Sequence, residues 1–98
     1  MKLRFLTIAE IELADAATYY ELKSNGLGLV FLEELERTIG RILEYPTAWS
    51  PSSLRTRGCQ MKRFPYSVIY REYDEEIVVM ALHHHKRKPE AWESRLKA

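Results

Sequence analysis

Two apolar segments, Tyr66 to Tyr73 and Ile77 to His84, are separated only by the acidic run Asp74-Glu75-Glu76, with the turn placed at Asp74-Glu75. Rich in Val, Ile, Tyr and Met and bounded by turn residues, they predict two strands joined as a β-hairpin. This commits the C-terminal half of the chain to a sheet. The second strand then runs into His83-His84-His85 and Lys86-Arg87-Lys88-Pro89, with Trp92 beyond. Cations at the rim of a sheet can hold phosphates or carboxylates without burying unpaired charge.

Before the hairpin the period is helical. Lys2 to Leu6 predicts a short first strand, and Thr7 with Glu10 has the spacing of a capping box. A helix follows, with Ile8, Ile11, Ala14, Ala17 and Leu22 as its apolar stripe and Ser24-Asn25-Gly26 as its end, Gly26 making the turn. From about Leu27, Phe31, Leu35, Ile39 and Ile42 mark a second amphipathic helix. Glu33, Glu34, Glu36, Arg37 and Arg41 are read onto its polar side, Glu33 with Arg37 as a favourable pair. Tyr45-Pro46 ends this helix, because proline disfavours helical geometry in the residue before it, and Trp49 to Ser53 continues as loop.

Leu54 to Arg57 and Cys59 to Arg63 are two further short strand candidates around Gly58, and Pro89 fits the first turn of a final helix holding Trp92 and Leu96. The order is β-α-α-β-β-β-β with a short C-terminal helix. This is an α+β architecture, a helical hairpin packed on one face of a mainly antiparallel sheet. With 98 residues, one domain spanning 1–98 accommodates it.

Composition narrows the function. Cys59 is the sole cysteine, so no internal disulfide forms, and it reads as inert packing. The first residues lack the apolar core of a signal peptide and no apolar run approaches the roughly 20 residues of a membrane span. A cytoplasmic location with no membrane role is the expectation. The net charge of +1 conceals an asymmetry: residues 1–49 carry five Lys/Arg against eight Asp/Glu, and residues 50–98 carry ten against six. A basic strand half suits nucleic acid or an acidic protein partner, and is equally compatible with an ordinary solvated surface.

Several of these residues occur in a recognisable order. Tyr45-Pro46, then Arg63-Phe64-Pro65-Tyr66, then Val68-Ile69-Tyr70, then a last strand ending in His84-His85 with Lys88, Pro89 and Trp92 after it, resembles the RelE/ParE toxin superfamily. The similarity is greatest to the ParE-like, plasmid-stabilisation branch and covers nearly the whole chain. It implies the toxin of a bacterial type II toxin–antitoxin pair, neutralised by a cognate antitoxin. ParE-like members are associated with inhibition of DNA gyrase. RelE-like members are ribosome-dependent endoribonucleases that cut messenger RNA, and a third possibility is a non-toxic relic that binds only its antitoxin.

The resemblance leaves catalysis open. Many nuclease members place an arginine where this chain has Ser67, and end in a tyrosine where it has Trp92, whose ring offers no phenolic proton. If the chain is a nuclease, Arg63, His83, His85 and Arg87 are the candidate catalytic set, imidazole supplying proton transfer and guanidinium the phosphate contact. If it is ParE-like, no catalytic residue is assigned, and Arg63, Lys86, Arg87, Lys88 and Trp92 are the candidate partner- or anion-binding residues. Trp92 also reads as the anchor of the final helix. Strand alternation lets His83 and His85 share a face but excludes His84, so no metal site is assigned and no cofactor is expected. An apolar groove for the antitoxin is expected on the free toxin, with homodimers or aggregates in isolation.

Overall fold

The computed structural model describes residues 1–52, 55–88 and 90–97. In chain order the elements are β1 (Lys2–Phe5), α1 (Thr7–Lys23), α2 (Leu27–Glu44), β2 (Ser50–Pro51), β3 (Thr56–Gln60), β4 (Tyr66–Tyr73), β5 (Glu76–His84) and α3 (Glu90–Glu93), the last continued by a 3₁₀ turn at Ser94–Lys97. The strands form one sheet in the order β1-β5-β4-β3-β2, antiparallel except where β1 runs beside β5. The order and the α+β layering expected from sequence are observed. Strand candidate Leu54 and the Pro89 of the final helix lie outside the described residues, as does Ser53.

Four local expectations are corrected. Thr7 does not cap α1: extended Leu6 occupies the cap position with no side-chain bond, and its carbonyl accepts the Glu10 N–H. Leu6 also donates its N–H to Val79, so the chain passes from strand to helix without a polar turn. The face of α1 that packs inward holds Ala9, Leu13, Ala16, Ala17 and Tyr20, whereas Ile8, Ile11 and Leu22 are exposed. Alanine lets the helix approach β5 closely, and apolar residues all round α1 leave its own pattern indecisive.

Glu34 is buried rather than on the polar face of α2, and Arg37 pairs with it, not with Glu33. The strands around Gly58 are one strand, β3, and the additional strand is Ser50–Pro51 within the expected loop. Gly58 lies opposite Ile69, whose Cδ1 would stand 3.2 Å from an added Cβ. Pro51 is tolerated because β2 is an edge strand, where a missing N–H costs little.

The main core lies between the helical hairpin and one sheet face, built from Phe31, Leu35, Ile42, Val68, Tyr70 and Val79 among others. Gly26, with φ 88°, makes the turn between the helices, and the Glu21 carboxylate accepts the N–H groups of Gly26 and Gly28. The opposite face carries a smaller cluster of Ile69, Val78, Met80 and Ala81, covered by Trp92. A shift in pairing between Ile69 and Tyr70 lets Ala81 face Ile69 while Val79 faces Tyr70. No helix among the described residues is long and apolar enough to cross a membrane.

Candidate functional site

Five cations collect at one end of the sheet. Lys62 and Arg63 lie on the turn between β3 and β4, and Lys86, Arg87 and Lys88 follow β5. Tyr66 pairs with His84, and the His85 N–H donates to the Pro65 carbonyl at 2.9 Å, which ties the two turns together. All five are exposed, and none forms an ion pair with another described residue. The opposite end carries Glu72, Asp74, Glu75 and Glu76 around the hairpin turn. Nine residues of β5 place these charges roughly 30 Å apart at the rise of an extended strand.

The basic end is held from beneath. Glu34 accepts the Lys62 N–H at 2.8 Å and the Arg37 Nε at 3.2 Å, with Arg41 at 3.8 Å. Burial opposes its ionisation, but the Lys62 N–H and the two guanidinium groups outweigh that and hold its carboxyl below the usual range. Phe64 packs among Tyr20, Phe31 and Tyr66, fixing the turn on its apolar side. Between these two anchors Arg63 takes the left-handed conformation, φ 72°. A non-glycine residue held there is strained and is kept by its surroundings.

The three imidazoles separate as alternation requires. His84 meets Tyr66 edge to face on the helix side, with ring centroids 4.9 Å apart. On the other face His83 stands beside Trp92, and desolvation, followed by the nearby His85, lowers its pKa. His85 Nε2 lies 3.0 Å from Ser67 Oγ. Among the described residues, no three His, Cys, Asp or Glu side chains are grouped to hold a metal ion.

Two residues of the nuclease alternative, His83 and Arg87, line different cavities. His83 lines a groove on the open sheet face with Ser67 and Gln60, while Arg87 lines a cleft against α1 on the other side. Arg63 lines neither. Of the partner-binding candidates, Arg63, Lys86, Arg87 and Lys88 come together at the surface. Trp92 is separated from them: it is 2% exposed and seated on Ile69, Val78 and Met80.

An apolar groove of Phe5, Leu13, Leu32, Leu35 and Ile39 opens beside β1, whose outer edge is unpaired among the described residues. The sequence implies an apolar groove without naming its residues, and does not bring Ser67 and His85 together. The groove combines residues from three elements and has no local signal. The pair had no local signal either: the register of the hairpin turn alone would put Ser67 opposite Leu82, and the shift in pairing between Ile69 and Tyr70 puts it opposite His83, next to His85.

Residues 3–89 match the family model described as the ParE toxin of the type II toxin–antitoxin system parDE. The fold is similar to a solved structure described as the chromosomal ParDE TA system from P. aeruginosa. The two share 19% identity at a TM-score of 0.74, over 86% of this chain and 95% of that one. No curated protein matches.

Proposed function

Given that this chain belongs to the ParE toxin family of type II toxin–antitoxin systems, we propose that it acts in the cytoplasm by binding a protein target such as DNA gyrase and is neutralised by a cognate antitoxin. The observation that carries this reading is the gathering of Arg63, Lys86, Arg87 and Lys88 as exposed cations that form no ion pair among the described residues. Such a patch attracts an acidic surface and speeds its encounter. A catalytic alternative would need proton donors and guanidinium groups around one substrate, and His83 and Arg87 line different cavities.

The antitoxin seats in the apolar groove of Phe5, Leu13, Leu32, Leu35 and Ile39, its own apolar segment covering surface that is exposed when the toxin is alone. The same surface favours homodimers or aggregates of the isolated chain. The deciding experiment is a gyrase supercoiling assay with the purified toxin, with and without antitoxin. Inhibition relieved by antitoxin is expected. Cleavage of messenger RNA on ribosomes with unimpaired supercoiling would replace this reading with the endoribonuclease one.

A further inference from the structure

We propose that the cleft between α1 and the end of β5 is a binding site for a zwitterionic ligand of the α-amino-acid class. The inference rests on the cleft's own chemistry and does not depend on the toxin reading. Its volume is about 220 Å³, below the roughly 300–1,000 Å³ of pockets for drug-sized molecules. A ligand of a few heavy atoms is the appropriate size.

The two walls carry opposite charge. On α1 stand Glu12 and Asp15, and from the strand end come His84 and Arg87. Glu12 is already satisfied, since its carboxylate takes two bonds from Arg95, at 2.9 and 3.0 Å, and the Leu82 N–H at 3.1 Å. Asp15 has no such partner among the described residues. Neither Asp15 nor Arg87 forms an ion pair with any described residue, although they line the same cleft.

Two opposite charges facing one cavity without meeting define what bridges them. A simple anion placed by Arg87 meets the Asp15 carboxylate, and a simple cation placed by Asp15 meets the guanidinium. A molecule with an ammonium and a carboxylate on one carbon satisfies both by charge-assisted hydrogen bonds. His84 adds a donor: its Nδ1 accepts the Lys86 N–H at 3.0 Å, which in the neutral ring places the proton on Nε2. The remaining lining of Ala16 and Leu82 with the Tyr19 and Tyr66 rings provides the apolar part against which the ligand's side chain packs.

The test is an amide-resolved NMR titration of the full chain with L-phenylalanine, L-leucine and L-methionine, set beside phenethylamine and 3-phenylpropanoate. Saturable shifts at Ala16, Tyr66, Leu82 and Arg87 are expected for at least one amino acid. That amino acid should bind at least tenfold more tightly than either singly charged analogue. Asp15→Asn and Arg87→Gln, both at surface positions, should each weaken it at least tenfold, with Lys2→Gln, at the other end of the sheet, as an unaffected control. Absence of saturable shifts, equal affinity for a singly charged analogue, or full binding by both charge variants overturns the proposal.

Discussion

Arg95 and Glu12 are joined by two parallel hydrogen bonds, Nη1 to Oε1 at 2.9 Å and Nη2 to Oε2 at 3.0 Å, although 83 residues separate them. The same guanidinium donates to the Met80 carbonyl at 2.9 Å, so one side chain ties the C-terminal turn to both α1 and β5. Both partners are largely covered, at 16% and 23% exposure. A short helix and a 3₁₀ turn have little stability alone, so this clasp and Trp92 hold the segment down. Arg95→Ala is expected to lower unfolding free energy by about 1–3 kcal/mol, measured by urea denaturation, because it leaves Glu12 partly buried and underpaired. A loss of less than a few tenths of a kcal/mol would show the clasp to be incidental.

Glu34 links α2 to the basic turn. Its carboxyl is held below the usual range in the folded chain, so its contribution is full above the unfolded-state value of about 4.3 and is lost as the pH falls through the depressed folded value. Glu34→Gln should remove that acid-side slope from the curve of stability against pH. It should also cost on the order of 2–4 kcal/mol near neutrality, since Arg41 and the Lys62 N–H lose their charged acceptor. Urea midpoints for both proteins across the acid range make the comparison.

Tyr70 is buried under the chain leaving α2 and donates its hydroxyl to the Pro46 carbonyl. Burial pushes its pKa up to about 12. The folded state therefore holds the proton where the unfolded chain, with a value near 10, releases it. Stability from this group is complete below about pH 10 and declines as the pH rises through about 12. Tyr70→Phe is expected to cost about 1–2 kcal/mol and to remove the most alkaline step from a phenolate absorbance titration.

Arg63 holds a left-handed backbone that glycine adopts freely. Arg63→Gly should therefore leave the fold as stable or more stable, by up to about 1 kcal/mol. The same variant removes one of the five exposed cations, so its association with an acidic partner should slow, most visibly at low salt. Stopped-flow association with the antitoxin over a salt series separates the two effects. An unchanged association rate at low salt would place Arg63 outside the binding surface.

The sequence alone determined the elements whose cause is local. The acidic turn at Asp74-Glu75 set the β4–β5 register as far as Tyr70 and Val79, Gly26 set the turn between the helices, and the spacing of Phe31, Leu35 and Ile42 set the inner face of α2. Alternation along the strand separated His83 from His84, and the shift in pairing between Ile69 and Tyr70 decided which face each took. Tertiary structure decided the rest. Ala9 and Ala16 displaced Ile8 and Ile11 from the core because closeness to β5, not hydrophobicity along α1, chose the buried face. Glu34 went inward because a backbone N–H 28 residues later needed an acceptor there. The Asp15–Arg87 cleft and the groove beside β1 arise where distant elements meet, and a local pattern carries no record of which surfaces the folded chain brings together.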